Sequence, residues 1–92
     1  MNDENPKSVA EQSEVDSMCF GGALTKLKDG YSVFRLNWNG KGQWLALQKP
    51  DEHSKMTLPY IYIYTVQGDL VPWLASQTDL LSCDWMVVQV TN

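Results

Sequence analysis

The sequence predicts a small α+β domain: a curved antiparallel sheet with one short helix near its start and another before the last strand. Two observations lead to this fold class. Apolar residues recur with the period of a helix near residue 20, whereas the middle of the chain alternates with the period of a strand. Glycine turns separate these segments at short intervals, as in the hairpins of an antiparallel sheet.

The first helix is predicted from its apolar spacing. Phe20, Ala23, Leu24 and Leu27 stand at i, i+3, i+4 and i+7, which places them on one helix face. Gly30 follows where a helix C-terminus favours a left-handed residue. We therefore expect a short helix that begins between residues 19 and 23 and ends before this glycine.

A hairpin is predicted next. Residues 31–36 and 43–48 form its two strands, and Asn39-Gly40 lies between them. Asn-Gly is the strongest two-residue turn signal in the chain, because both central positions of a type I′ turn need positive φ. A charged loop over residues 50–57 follows the second strand.

The strand Tyr60–Tyr64 has no water-compatible face. Its three tyrosines point to one side and its two isoleucines to the other. A domain of 75 residues cannot easily bury both faces of a sheet, so the simplest solution is a homo-oligomer in which the tyrosine side packs on a copy or lines a shared pocket. Alternatively, the rings lie on the protein and their hydroxyl groups reach solvent.

The C-terminal part predicts a turn, a helix and a strand. A glycine turn at 67–69 leads into a short strand. Ser76 and Asp79 fit a capping box that starts a helix over 77–83, although aspartate is shorter than the usual glutamate. A largely buried strand over 85–90 completes the sheet.

Charge divides the chain into two parts. Residues 1–17 hold five acidic residues and one lysine, a net charge of −4, and we expect a disordered acidic tail. Residues 18–92 hold six of each sign, and we expect them to form a single neutral domain that binds a ligand. Such a domain can hold a small phosphorylated ligand, but it lacks the broad basic field that binding DNA requires.

Several site classes find no support in the sequence. Cys19 and Cys83 are expected to be small buried thiols, because no signal peptide points to an oxidising compartment. No apolar stretch is long enough to span a membrane, so a soluble cytoplasmic protein is expected. His53 lies in a charged loop, and Asp79 and Asp84 fit as a helix-start acid and a turn residue. We therefore expect no metal, no cofactor and no catalytic centre.

Five segments of the chain together carry a family resemblance. In chain order they are Arg35…Trp38-Asn39-Gly40-Lys41-Gly42, Pro59-x-Ile61, Thr65-x-x-Gly68, Val71-Pro72-Trp73-Leu74-Ala75-Ser76-Gln77-Thr78-Asp79-Leu80-Leu81 and Asp84-Trp85. Over about residues 18–90, this order resembles the second Thoeris anti-defence family of phage proteins.

The resemblance implies a homotetrameric sponge in the cytoplasm of the infected bacterial host. Members of that family bind glycocyclic ADP-ribose, the cyclic ADP-ribose signal of Thoeris defence, without degrading it. Some also hold cyclic dinucleotides in separate pockets. The chain departs from the family pattern in its acidic extension and at Asn37, Gln43 and Ser82-Cys83.

A ligand site can be predicted for such a nucleotide. Trp38 or Trp73 would stack on the base. Arg35 and Lys41 would meet the phosphates, although Lys41 fits equally well as a solubilising residue of the hairpin. Trp73 also fits as a strand end packed on the first helix. The remaining predicted contacts are the turn amides around Asn39 and Gly40 and the polar groups of Ser76, Gln77, Thr78 and Asp79.

Two other functions remain open at this point. A protein-binding inhibitor of a host defence component would need an exposed apolar patch, and the side formed by Tyr60, Tyr62 and Tyr64 is the candidate. An enzyme that cleaves the signal would need an acid and a base, and no such set is recognisable. We therefore do not expect an enzyme.

Overall fold

The computed structural model describes residues 16–89, which form two helices and a five-stranded antiparallel sheet. The predicted α+β class is confirmed. Neither helix in this part of the chain could span a membrane. Residues 1–15 of the predicted tail and Val90 of the predicted last strand lie outside the described residues. The elements are α1 (Phe20–Lys28), β1 (Val33–Arg35), β2 (Trp44–Gln48), β3 (Tyr60–Tyr64), β4 (Leu70–Pro72), α2 (Gln77–Leu81) and β5 (Trp85–Val87).

The sheet is an open meander with one returning strand. Its order is β4-β3-β2-β1-β5, so the first four strands follow each other and the last returns beside β1. Val33 is the central register point, because it pairs with Leu45 on one side and Val87 on the other. Beyond β5, Met18 forms an isolated antiparallel bridge with Trp85.

The core lies between α1 and one face of the sheet. Ala23 and Leu27 of α1 are fully buried against Val33, Leu45 and Trp85. These two helix residues belong to the predicted apolar face, which is therefore confirmed as the buried one. Full burial of a leucine-sized side chain stabilises the fold by about 1.5–3 kcal/mol.

Both ends of α1 follow the sequence signals. The helix begins at Phe20, within the predicted interval. Gly30 has φ 98°, and its amide donates to the carbonyl of Leu27 (3.0 Å). Lys49 on the loop after β2 donates from Nζ to the carbonyl of Lys28 (3.1 Å), which satisfies a carbonyl of the last turn.

The predicted type I′ turn at Asn39-Gly40 is wrong. β1 and β2 are joined by residues 36–43, and the positive φ belongs to Gly42 (86°) rather than Gly40. Val33 pairs with Leu45, which leaves an odd number of residues between any two positions that this register aligns. A two-residue turn therefore does not fit the hairpin.

The expected buried free thiols are also wrong. Cys19 and Cys83 form a disulfide, and both residues are exposed. The Met18–Trp85 bridge explains the pairing, because it brings the start of α1 beside the segment that precedes β5. Residues 64 positions apart thus become neighbours, which no local pattern could indicate.

The side of the sheet opposite α1 carries an aromatic surface. We call Trp44, Tyr60, Tyr62 and Tyr64 the tyrosine face. The rings of Trp44 and Tyr64 stack, with centroids 5.1 Å apart and planes 10° apart. Ile61 and Ile63 pack instead against the core, so the predicted division of the β3 side chains is confirmed. Self-association through this face stays a prediction.

Reduction of the Cys19–Cys83 disulfide should lower the free energy of unfolding by about 4 kcal/mol, because it frees a 64-residue loop in the unfolded chain. Urea denaturation with and without a thiol reductant measures the change. The Cys19→Ser/Cys83→Ser double variant should match the reduced protein and show no response to reductant. Equal midpoints for oxidised and reduced protein would contradict the expectation.

Candidate functional site

The buried carboxylate of Asp79 joins two parts of the predicted ligand site, the loop that follows β1 and the start of α2. Asp79 is 9% exposed and lies in the first turn of α2. Its Oδ1 accepts hydrogen bonds from Arg35 Nη1 (3.0 Å) and Trp38 Nε1 (3.1 Å). Arg35 ends β1 and Trp38 lies in the loop after it. One carboxylate therefore binds the loop that follows β1 to the first turn of α2.

The capping box of α2 orients this carboxylate. Ser76 Oγ accepts from the amide of Asp79 (3.0 Å), and Asp79 Oδ2 accepts from the amide of Ser76 (3.2 Å). Both reciprocal bonds form although aspartate replaces the usual glutamate, so the predicted capping box is confirmed. With Oδ2 held by the cap, Oδ1 faces the arginine and the indole.

A second carboxylate, that of Asp84, holds the other edge of the guanidinium. Its Oδ1 accepts from Arg35 Nε (2.9 Å) and its Oδ2 from the amide of Asn37 (2.8 Å). The backbone carbonyl of Asp84 also accepts from the amide of Leu36. Three consecutive residues, from the end of β1 into the loop, thus donate hydrogen bonds to Asp84.

The two carboxylates outnumber the cation between them. Burial opposes ionisation of Asp79, but the hydrogen bonds from Trp38, Arg35 and Ser76 outweigh it and hold its pKa below the ordinary 3.8. For Asp84 burial is likewise outweighed, chiefly by Arg35 and the Asn37 amide, so its pKa is also lowered. The hydrogen bond to Asp84 raises the pKa of Arg35. At neutral pH the three groups together carry a charge of −1.

The structure brings together four of the predicted site residues, because Arg35, Trp38 and Ser76 each bond to Asp79. Nε and Nη1 of Arg35 are directed at carboxylates, and its side chain is 10% exposed. An approaching phosphate would therefore compete with two anions already bound to this guanidinium. The fold does not test whether these residues contact a ligand, so their binding roles stay predictions.

The remaining residues of the predicted loop lie beside this network. Lys41 Nζ donates to the carbonyl of Leu36 (2.9 Å), so the lysine folds the loop back on itself. Asn39 and Lys41 are exposed, and Gly40 is half-buried. A Cβ added at Gly40 would stand 2.5 Å from Cγ2 of Val66, so the close approach of the β3–β4 turn requires glycine here.

Trp73 belongs to an apolar groove rather than to the carboxylate network. Its ring lies 6.0 Å from both Phe20 and Trp85, which agrees with the alternative that it packs on the first helix. Gln77 and Thr78 are exposed on the first turn of α2. The groove has a volume of about 470 Å³ and is lined by Phe20, Leu24, Leu47, Pro59, Tyr60, Ile61, Trp73, Ala75 and Leu80.

Asp84 is the site residue that sequence reasoning missed. It was interpreted as a turn residue, whereas it binds the start of the loop through two side-chain bonds. Its place directly before the buried Trp85 was the available signal, since an acid beside a core residue is poorly solvated and needs a partner. Among residues 16–89, no group of three or more His, Cys, Asp or Glu is placed to hold a metal ion.

Comparison with known proteins now bears on this network. Residues 18–88, which include the segments around Trp38 and Trp73, match the family described as the Thoeris anti-defense 2-like domain. The chain belongs to this family. It is also similar to the protein named Thoeris anti-defense 2 of Bacillus phage SP01, with 34% identity over 84 residues. That similarity covers 77% of this chain and 94% of the phage protein.

Membership of the Thoeris anti-defense 2-like family confirms the resemblance predicted from the motifs. It also supports the coarse expectation of a phage function directed against Thoeris defence. Arg35, Trp38, Asp79 and Asp84 all lie within the matched range. The carboxylate network is therefore part of the region that the chain shares with this family.

Acidification should weaken the fold through Asp79 and Asp84. Their folded pKa values are lowered, so their stabilising contribution is complete above the ordinary value of 3.8 and is lost as pH falls from that value through the lowered folded values. Urea midpoints between pH 7 and pH 2.5 measure the loss. The Asp79→Asn/Asp84→Asn double variant should be less stable at pH 7 and lose less on acidification. Parallel losses in the two proteins would show that other groups govern acid sensitivity.

Proposed function

We propose that the protein is a sponge for glycocyclic ADP-ribose: it binds this Thoeris signal and keeps it from the effector without degrading it. Membership of the Thoeris anti-defense 2-like family supports the target pathway. The observation that carries the binding role is the Asp79 carboxylate, which bonds both to the loop containing Trp38 and to the cap of α2. A cyclic dinucleotide is the second ligand class that the proposal includes.

The charges around the network indicate how such a ligand would lie. Because the network carries −1, donors such as ribose hydroxyls and the adenine amino group are favoured beside its carboxylates. The pyrophosphate is better placed towards Lys41 and the amides of the loop around Gly42, which are exposed. The half-buried ring of Trp38 would stack on the base between these regions.

The protonation states favour binding over hydrolysis. Asp79 and Asp84 have lowered pKa values because hydrogen bonds to their ionised forms outweigh the effect of burial. A general acid at neutral pH needs a carboxyl group whose pKa is raised towards 7. Both carboxylates are instead ionised and engaged in fixing the loop, so neither suits the role of general acid, which supports the proposal that the ligand is released intact.

We further propose that the protein acts as a homotetramer in the cytoplasm of the infected host. The tyrosine face supports self-association, because α1 packs on the opposite side of the sheet. Trp44, Tyr62 and Tyr64 lie half-buried on this face. Covering such rings with a copy of the same surface would bury apolar area that the described domain leaves accessible.

A capture-and-release experiment tests the sponge. The protein is mixed with glycocyclic ADP-ribose or with individual cyclic dinucleotides, filtered, and the retained fraction is heat-denatured. We expect intact nucleotide to be recovered in proportion to protein. Recovery of a cleaved nucleotide, with turnover at low protein concentration, would establish an enzyme. Ligand that stays in the filtrate throughout would refute the sponge and favour a protein partner.

Trp38 variants locate the pocket. Trp38→Ala should abolish capture, because it removes the stacking surface, worth about 1–3 kcal/mol. Trp38→Phe keeps an aromatic ring but loses the bond to Asp79, and it should retain weaker capture. Trp44→Phe is the matched control, since this ring stacks on Tyr64 on the other side of the sheet. Normal binding by folded Trp38→Ala would show that the pocket lies elsewhere.

A charge on the tyrosine face should dissociate the oligomer. Tyr62→Glu places a carboxylate in the surface that we propose is buried between copies, where an unpaired charge is costly. Light scattering coupled to size exclusion should show a smaller particle than the wild type. Tyr31→Glu is the control, because Tyr31 is half-exposed and lies beside Lys26 rather than on this face. An unchanged mass for Tyr62→Glu would exclude the tyrosine face as the interface.

A further inference from the structure

We propose that Asp84 is a positioning residue for ligand capture, which fixes the start of the Trp38 loop, residues 36–42, without contacting the ligand itself. The inference rests on the proposed function and deepens it. It concerns the one acidic side chain of the network that was not among the predicted ligand contacts.

Asp84 accepts three hydrogen bonds from the end of β1 and the start of the loop. Its two carboxylate oxygens accept from Arg35 Nε (2.9 Å) and from the amide of Asn37 (2.8 Å), and its carbonyl accepts from the amide of Leu36 (3.0 Å). Charge-assisted bonds of this length are the stronger class of hydrogen bond. They act on consecutive residues, so they determine the direction in which the chain leaves β1.

The loop has one further bond to α2, through Trp38. Trp38 Nε1 donates to Asp79, which is held by the cap of that helix. Asp84, in the segment before β5, and Asp79, in the first turn of α2, therefore hold the loop at successive positions. If Asp84 lost its carboxylate, the indole would remain bonded to Asp79, but the backbone that carries it could rotate about Leu36.

The surroundings of Asp84 separate this role from the packing of the core. Its side chain is 16% exposed, at the rim of the network. Strand β5 is held independently by its pairs with β1 and by the Met18–Trp85 bridge. The Leu36 bond uses the carbonyl of Asp84 and persists in any side-chain variant. Removal of the carboxylate should therefore loosen the loop while the sheet stays intact.

Three variants test the proposal by affinity for glycocyclic ADP-ribose, measured by calorimetry. Asp84→Ala should weaken binding about 10- to 100-fold, the effect of losing a charge-assisted bond. Asp84→Asn retains one acceptor and should lose less. Asp69→Ala removes an exposed charge but keeps the two hydrogen bonds of residue 69, which use its backbone amide and carbonyl. This variant should therefore bind normally. Wild-type affinity in Asp84→Ala, or equal losses in the alanine and asparagine variants, would overturn the proposal.

Amide hydrogen exchange without ligand provides the independent readout. In Asp84→Ala the Asn37 amide should exchange at least tenfold faster, whereas the Val33 and Met86 amides, which face neighbouring strands, should change much less. Uniformly faster exchange would mean global destabilisation, and an unchanged Asn37 rate would mean no positioning; either result overturns the proposal. If wild-type protein binds no nucleotide but Asn37 responds as expected, the sponge fails and the loop anchor stands.

Discussion

The carboxylate of Asp79 is the constraint on which the rest of the site depends. It is buried, and a buried charge is tolerated only when its acceptor sites are filled. Arg35, Trp38 and the amide of Ser76 fill them, so the end of β1, the following loop and the start of α2 must meet at one point. The carbonyl of the same residue accepts from Trp85 Nε1 (3.0 Å), which joins this meeting point to the core.

Local patterns in the sequence were enough to predict much of the fold. The helical spacing from Phe20 to Leu27, the capping box at Ser76 and the alternation in β3 each depend on neighbours within a few residues, and each is confirmed. The failures involve distant partners. Asn39-Gly40 has the composition of a tight turn, but the Val33–Leu45 register leaves an odd number of residues between paired positions and excludes a two-residue turn. The cysteine pairing similarly depends on the Met18–Trp85 bridge.

The site was predictable in residue type but not in pairing. Arg35 looks in the sequence like a free cation for phosphate, because its two carboxylate partners stand 44 and 49 positions later in the chain. Once they are brought together, the arginine becomes a structural cross-link and the local charge changes sign. Asp84 shows the converse case: an apparent turn residue that organises the loop. Only the three-dimensional arrangement separates groups that face solvent from groups that neutralise each other.

The edges of the sheet limit how the protein can assemble. Directly after β4, the amide of Trp73 points to β3, where it donates to the carbonyl of Ile61, so alternation directs residue 72 to the open edge. Residue 72 is proline and has no N–H to offer there. At the opposite edge, Met18 already occupies both polar groups of Trp85. Strand addition is thus hindered on both sides, so the self-association that we propose would have to use the faces of the sheet rather than its edges.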